Sequence, residues 1–137
     1  MEKTLLLIKP NVTEENKTGE VIASIEAEGF VIKAMKMLVM DRTKAGEFYA
    51  VHKGKPFYDN LIAFMTSGPI VAVVLARDNA VSYLREVIGN TDPSKAASGT
   101  VRARFGRSVT ENAVHASDSP ENAQVEMGVI FGADGVI

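Results

Sequence analysis

The segment Thr4-Leu5-Leu6-Leu7-Ile8-Lys9-Pro10 decides the architecture that this chain can adopt. Thr4 to Ile8 form a continuous apolar run of strand length, which is typical of a strand buried on both faces. Because Pro10 cannot donate to a β-ladder, we expect the strand to stop at Lys9-Pro10. Ile70 to Ala76 form a second continuous apolar run, so the sequence predicts a central strand and a further strand of the same kind.

Helices are predicted around these runs because amphipathic spacing coincides with start and stop signals. Val31 to Met40 is interrupted by Lys33 and Lys36 and predicts a partly exposed strand. From Asn90 to Val114 no periodicity holds, and irregular segments of more than about 15 residues are usually functional or disordered. The predicted helices lie over Gly19 to Glu28, from a cap at Thr43 through Val51, from Pro56 to Met65, from a cap at Asn79 to Gly89, and from a cap at Ser119 with Pro120 in the first turn. This alternation predicts helices packed on one face of a sheet.

Length and composition restrict the class of protein. The chain has 137 residues, which predicts one domain spanning residues 1–137. Hydrophobic residues make up 46% and charged residues 23%, as in folded globular domains. A formal net charge of -2 argues against nonspecific nucleic-acid binding as the main role. The chain has no Cys, no apolar run long enough to span a bilayer and no signal-peptide pattern, so we expect a cytoplasmic protein without disulfides.

Motifs of several common active sites are absent. The chain has no P-loop, no Gly-rich dinucleotide motif, no zincin motif and no nucleophile elbow, so a nucleotide enzyme would need another way to bind phosphate. Guanidinium groups bind phosphate oxygens through paired hydrogen bonds, and a loop folded over them could form an anion pocket. The irregular segment and its flanks supply basic and polar candidates, namely Arg85, Thr91, Arg102, Arg104, Arg107, Asn112 and His115. From the pattern alone, a solvated basic loop is the more common outcome.

His115 is the strongest single candidate for chemistry. An imidazole is substantially neutral at cytoplasmic pH, so one ring nitrogen can act as a nucleophile or base. Glu126, on the helix predicted from Ser119, could accept a hydrogen bond from the other ring nitrogen and fix the tautomer. Sequence spacing does not decide this geometry. A hydrogen-bonded structural role is the common alternative for His115, and even more so for His52.

The segment Asn112-Ala113-Val114-His115-Ala116-Ser117-Asp118-Ser119-Pro120-Glu121-Asn122-Ala123 closely resembles the active-site signature of the nucleoside diphosphate kinases. The resemblance extends over essentially the whole chain, because further blocks follow in the family's order. They are Thr4-Leu5-Leu6-Leu7-Ile8-Lys9-Pro10, Phe48-Tyr49, Lys55-Pro56-Phe57, Phe64-Met65-Thr66-Ser67-Gly68-Pro69, Thr91-Asp92-Pro93 and Gly99-Thr100-Val101-Arg102. An accidental match would not reproduce several unrelated blocks in one order.

The resemblance implies an α+β fold, namely a ferredoxin-like βαββαβ domain. Its antiparallel sheet would carry helices packed on it, and a long loop would precede His115. The implied enzyme is a nucleoside diphosphate kinase, which transfers the γ-phosphate of a nucleoside triphosphate to a nucleoside diphosphate. The implied route is ping-pong through a phosphohistidine on His115, with broad base specificity, and it would maintain the cellular NTP and dNTP pools. Symmetric homotetramers or homohexamers are also implied.

The resemblance also implies roles for individual residues. His115 would be phosphorylated, Glu126 would orient it, and Ser117 would support that pair. Mg²⁺ would arrive with the nucleotide and bridge its phosphates, so no protein metal cage is expected. Lys9 would serve both catalysis and binding, and the nucleotide-binding set would be Lys9, Tyr49, Arg85, Thr91 and Arg102 on the phosphates, Lys9 and Asn112 on the sugar, and Phe57 on the base.

Some positions depart from the family's usual pattern. Ala116 follows the predicted nucleophile where Gly is common, and because Ala tolerates positive φ poorly we predict a negative φ there. Asn11 stands where Asp is usual, Arg104 replaces a frequent Asp, and Ser98 replaces a frequent Pro. Two alternatives stay open at this point. One is a nucleotide-binding module without turnover, and the other is a nucleic-acid binder with a stacking strip made of Arg102, Arg104, Phe105 and Arg107.

Overall fold

The computed structural model describes residues 1–132 and 136. The tail that the sequence pattern leaves unassigned therefore falls largely outside the described residues. The strands are β1 (Glu2–Ile8), β2 (Val31–Leu38), β3 (Ile70–Arg77) and β4 (Val114–Ala116). The helices are α1 (Pro10–Glu14), α2 (Thr18–Ala27), α3 (Arg42–Phe48), α4 (Tyr58–Met65), α5 (Ala80–Ile88), α6 (Val101–Phe105) and α7 (Pro120–Phe131), with 3-10 helices at Ala50–His52 and Pro93–Lys95. None of the helices in the described residues has the length and apolar character needed to cross a membrane.

The strands form one four-stranded antiparallel sheet in the order β2-β3-β1-β4. Both apolar runs of the sequence occupy its centre, where β1 pairs with β3 over its whole length. β4 pairs with the other edge of β1 and sets Leu7 opposite His115. This order and these directions confirm the predicted α+β, ferredoxin-like fold. β2 lies at the outer edge, as its partly exposed residues predict.

Helices cover both faces of the sheet, so the single-face packing predicted from the element order is wrong. Leu6 and Ile8 of β1 pack with residues of α2 and α5, whereas Leu5 and Leu7 pack with residues of α3, α4 and α7. Side chains of a strand alternate between its faces, so an uninterrupted apolar run is what a sheet needs when both faces are covered. Two cores result, one on each side of β1.

The sequence predicts the N-terminal capping residue correctly for only some of the helices. Ser119 caps α7 as predicted, because its Oγ accepts from the backbone N–H of Asn122 at 3.0 Å. Asp41, and not Thr43, caps α3 by accepting from the N–H of Lys44 at 2.7 Å, and α3 ends at Phe48 before Val51. Asn79 has a left-handed backbone (φ 55°) and makes no capping bond. Glu2 of β1 caps α5 instead, since its Oε1 accepts from the N–H of Val81 at 2.8 Å.

The segment from Asn90 to Val114 is more ordered than its pattern predicts. Asp92 caps the 3-10 helix Pro93–Lys95 by accepting from the N–H of Ser94 at 3.0 Å. Thr100 caps α6 by accepting from the N–H of Ala103 at 3.3 Å. Both helices are too short to show periodicity, which is why neither is predicted. They carry the chain back to the sheet immediately before β4.

Candidate active site

The fold brings the end of β1 next to the start of β4. The backbone N–H of Lys9 donates to Ala113 O at 2.8 Å, directly before β4 begins. After β4, the N–H of Ser117 returns to β1 by donating to Leu5 O at 3.2 Å. Lys9 and His115 are thereby held at one end of the sheet, although they are far apart in the sequence.

A turn with a strained backbone conformation immediately precedes β4. Ala113 is fully buried and has a φ of 75°, and the N–H of Val114 donates to Asn112 O at 2.9 Å across it. This is a γ-turn with positive φ, a rare conformation for a residue with a Cβ atom. Ala116 is not among the positive-φ residues of the described chain, which confirms the prediction made for it. The strain lies before the histidine and not after it.

His115 is held by a carboxylate through one ring nitrogen only. Its Nε2 lies 2.9 Å from Glu126 Oε1, which also accepts from Ser117 Oγ at 2.6 Å. Because a carboxylate can only accept, Nε2 carries the proton, and Nδ1 keeps its lone pair in the neutral ring. The structure shows no hydrogen bond at Nδ1 within the described residues. The rings of Phe48 and Tyr49 meet the imidazole edge-on, at centroid distances of 5.0 Å and 6.0 Å, and fix its plane.

Lys9 is buried among neutral hydrogen-bond acceptors. Its Nζ donates to Asn112 Oδ1 at 2.8 Å and lies 3.4 Å from Thr110 O. Asn112 in turn donates from Nδ2 to Thr91 O at 3.0 Å. Burial lowers the pKa of Lys9, the positive charge of Arg102 acts in the same direction, and together they bring it to about 7. The neutral form of Lys9 is thereby favoured relative to an exposed lysine.

Arg102 is also buried and also lacks a carboxylate partner among the described residues. Its Nη1 donates to Gly89 O at 3.0 Å and its Nη2 donates to Val114 O at 2.9 Å, while its Nε is buried without a partner. Burial lowers the pKa of Arg102, the positive charge of the neighbouring Arg85 acts in the same direction, and together they bring it to about 10. The exposed Arg85 donates from Nη1 to Ala116 O at 3.3 Å. We call Lys9, Arg85 and Arg102 the pocket cations; within the described chain none of them forms an ion pair with a carboxylate.

The aromatic candidates differ in exposure. Tyr49 is buried, its hydroxyl has no partner in the described part of the chain, and burial together with the charge of Glu126 raises its pKa. Phe57 is 44% exposed. Its ring meets the ring of His52 at 5.3 Å, and the ring of His52 stacks on Tyr49. Thr91 is exposed, and its backbone oxygen accepts a hydrogen bond from Asn112 Nδ2. The sequence pattern favours a structural role for His52 and gives no sign of its position between the two other rings.

The remaining basic side chains of the loop are engaged elsewhere. Arg104 donates to Ser24 Oγ at 2.8 Å, and its guanidinium lies 4.7 Å from the ring of Phe105. Arg107 is exposed and forms ion pairs with the carboxylates of Glu14, Glu15 and Glu111, an arrangement that we call the surface cluster. The strip required by the nucleic-acid alternative is thus divided between a buried pocket, the α2 surface and this cluster. No group of three or more His, Asp or Glu side chains suited to a metal ion occurs among residues 1–132 and 136.

Comparison with known proteins identifies the family to which this chain belongs. The family model described as nucleoside diphosphate kinase matches residues 2–136. A nucleoside diphosphate kinase of Staphylothermus marinus is 52% identical over 136 residues, covering 99% of this chain and 96% of that protein. One from Salinibacter ruber is 51% identical and covers 95% of this chain and 92% of that protein.

Solved structures show the same similarity in three dimensions. The nucleoside diphosphate kinase of Aquifex aeolicus superposes with a TM-score of 0.96 at 45% identity, covering 99% of both chains. A halophilic nucleoside diphosphate kinase from Halobacterium salinarum, solved in complex with CDP, superposes with a TM-score of 0.95 at 32% identity, covering 99% of this chain and 91% of that one. The protein therefore belongs to the nucleoside diphosphate kinase family and is a nucleotide-binding phosphotransferase of that kind.

Proposed function

We propose that His115 carries the phosphoryl group between two nucleotides that occupy the same pocket in turn. In the first half-reaction the lone pair of Nδ1 attacks the γ-phosphorus of a nucleoside triphosphate. The P–N bond forms while the bond to the bridging oxygen breaks, and the nucleoside diphosphate leaves with that electron pair. In the second half-reaction a terminal oxygen of another nucleoside diphosphate attacks the same phosphorus and the P–N bond breaks. The observation that carries this proposal is the imidazole held through Nε2 alone, near cations that have no carboxylate partner within the described chain.

The side chains around His115 can stabilise the negative charge of a phosphoryl group during its transfer. Phosphoryl transfer is accelerated mainly by fixed positive charges and donors around the equatorial oxygens. We assign this role to the pocket cations, with the unpartnered hydroxyl of Tyr49 and with Thr91 as further donors. Glu126 holds the proton on Nε2 and stabilises the positive charge that the ring gains on phosphorylation, and Ser117 orients Glu126. No proton has to leave Nδ1 for the attack.

The rest of the nucleotide would be bound with little regard to the base. Lys9 and Asn112, which already contact each other, are assigned to the sugar hydroxyls. Phe57 is assigned to the base, because an exposed ring offers a stacking surface that any base can use. Weak base discrimination follows, as an enzyme that maintains NTP and dNTP pools requires.

Magnesium is proposed to enter with the nucleotide. The side chains assigned to the phosphates and the sugar are ammonium, guanidinium, amide and hydroxyl groups, which suit phosphate oxygens as partners, whereas Mg²⁺ prefers carboxylate and phosphate oxygens. The phosphates themselves would therefore supply its ligands. When bound, Mg²⁺ neutralises charge on the phosphate oxygens, and the pocket cations neutralise the remainder.

Self-association is proposed as a homotetramer or homohexamer. Among the described residues, β2 is an outer strand and one of its edges pairs with no other strand. Met35 and Met37 on it are exposed, as is Val39 after it. Edges of this kind pair readily with another chain. Light scattering at several protein concentrations measures the assembly. The cytoplasmic location stays a prediction, which cell fractionation tests.

The central experiment follows the phosphoryl group through the protein. After incubation with γ-labelled ATP, we expect label on the chain that is lost in acid and kept in base. Addition of unlabelled UDP should move that label into UTP. His115→Ala should take up no label, whereas Arg107→Ala, in the surface cluster, should label normally. A His115→Ala protein that labels as the wild type does would refute the assigned nucleophile.

A further inference from the structure

A series of ring contacts connects the exposed Phe57 with the imidazole of His115. The ring of Phe57 meets the ring of His52 at a centroid distance of 5.3 Å and an angle of 61°. His52 stacks on Tyr49 at 6.2 Å and 27°, and Tyr49 meets His115 edge-on at 6.0 Å and 89°. His52 therefore lies between the exposed ring of Phe57 and the ring of Tyr49, which contacts His115.

The backbone keeps this path short and nearly fixed. The N–H of His52 donates to Tyr49 O at 2.9 Å, which begins the 3-10 helix Ala50–His52. The N–H of Lys55 then donates to His52 O at 3.0 Å, and the N–H of Tyr58 donates to Lys55 O at 3.0 Å. Successive tight turns thus lead from Tyr49 to Phe57. They leave little freedom in the backbone, so the direction of the exposed Phe57 ring depends on its side-chain neighbours.

The ring of His52 is suited to support an aromatic neighbour. Burial lowers the pKa of His52, and the nearby charge of Lys55 and the ring of His115 lower it further, against weaker opposite effects of Asp118 and Glu126. A neutral ring has an apolar face and an edge that can meet another ring. Its Nδ1 lies 3.4 Å from Lys55 Nζ, and Lys55 Nζ in turn lies 5.9 Å from the centre of the Phe57 ring. His52 and Lys55 thus flank Phe57 together.

We propose that His52 is a positioning residue that holds Phe57 ready to stack on the nucleotide base at a fixed distance from His115. The inference rests on the proposed function, in which Phe57 contacts the base. An exposed ring without support would have to be ordered when the nucleotide binds, and preorganisation removes that cost. His52 thereby strengthens binding of the nucleoside part, while the pocket cations bind the phosphates independently of it.

Two ligands separate these effects, because ADP has a base and inorganic triphosphate has none. The dissociation constants of both are measured by calorimetry for the wild type and for His52→Ala, His52→Leu and His52→Phe. His52→Ala and His52→Leu should weaken ADP binding roughly three- to tenfold, the range of one aromatic pair. Binding of inorganic triphosphate should not change. His52→Phe, which keeps a ring, should restore ADP binding, and Val51→Ala on the same 3-10 helix is the matched control.

A double-mutant cycle tests whether His52 acts through Phe57. In a Phe57→Ala background, His52→Ala should add nothing to the loss of ADP affinity. Equal weakening of ADP and triphosphate, additive losses in the cycle, or unchanged ADP binding in the His52 variants would each overturn the positioning role. If Phe57→Ala itself leaves ADP binding unchanged, the assignment of Phe57 to the base fails, and the positioning role fails with it. His52→Leu fills the volume of the ring, so it keeps the test valid if His52→Ala does not fold.

Discussion

The pocket cations and Arg107 of the surface cluster have opposite surroundings. In the surface cluster, the exposed Arg107 faces the carboxylates of Glu14, Glu15 and Glu111. The hydrogen bonds that Arg107 donates to Glu15 and Glu111 raise its pKa. The pocket cations instead donate to neutral oxygens, from backbone carbonyls and Asn112. Burial lowers the pKa of Lys9 and of Arg102.

The difference indicates which basic side chains are available to a phosphate and which are already neutralised at the surface. Burying a cation without a counter-ion costs free energy, and a fold keeps such an arrangement when a ligand supplies the missing charge. A cation that already has carboxylate partners gains little from a phosphate. From the sequence alone Arg85, Arg102 and Arg107 are basic residues in or beside one irregular segment, and only their surroundings separate them.

Removing the guanidinium of Arg102 should have the largest effect of any substitution in the two groups. Arg102→Ala should lower the single-turnover rate of phosphoryl transfer by roughly 10²- to 10³-fold, as the loss of a fixed donor to the transferring group does in other enzymes. Adenosine binding should change far less, because in the proposed binding mode the nucleoside contacts Phe57, Lys9 and Asn112 and not Arg102. Quenched-flow labelling with γ-labelled ATP measures the rate.

Arg107→Ala is the matched control for this comparison, and its rate should equal that of the wild type. Arg102→Lys distinguishes the effect of the positive charge from the effect of the backbone contacts, because it keeps a cation but loses the hydrogen bonds to Gly89 and Val114. An unchanged transfer rate in folded Arg102→Ala would remove the distinction between the two groups.

Lys9 should make folding stability depend on pH. Its folded-state pKa is about 7, below its unfolded value of 10.5, so the unfolded chain binds the additional proton between these two values. The free energy of unfolding should therefore rise with pH across this window. We compare wild type with Lys9→Met in urea without nucleotide. The free energy of unfolding of the wild type, relative to that of the variant, should rise by up to roughly 1.4 kcal/mol per pH unit within this window. A difference that does not vary with pH would contradict the buried, uncompensated state of Lys9.

The surface cluster should contribute least. Arg107→Ala should lower the free energy of unfolding only slightly, because exposed ion pairs are screened by water. Addition of salt at about 1 M should remove most of that difference. Urea unfolding at low and high salt measures both. A larger loss, or one that salt leaves intact, would mean that the cluster holds the loop in place and is not merely a solvated group.

The centre of the fold can be predicted from the sequence, but the placement of the helices on its two faces cannot. The apolar run Thr4 to Ile8 identifies β1 and predicts that both its faces are buried, yet the order of the elements does not say on which face each helix packs. Glu2 caps α5 across a separation of 79 residues, which no local pattern contains. Asp41 displaces Thr43 as a cap because both residue types suit the position and the local sequence does not choose between them.

The candidate site is predicted as a set of residues and not as a geometry. Lys9 and Asn112 are 103 residues apart and meet only because β4 pairs with β1. The sequence separation of eleven between His115 and Glu126 says nothing about which ring nitrogen the carboxylate will hold. The buried and exposed arginines look alike in the sequence, since burial depends on where α6 and the loop after it lie. The unusual φ of Ala113 likewise has no signal in its residue type.

The position of the phosphoryl group on the ring tests the account most directly. The phosphorylated enzyme is prepared with ATP, freed of nucleotide, unfolded in base and examined by ³¹P NMR beside authentic phosphohistidine isomers. Because Glu126 holds Nε2, we predict the Nδ1 isomer on His115 as the only phosphohistidine. Phosphate on Nε2, or on a residue other than His115, would contradict it.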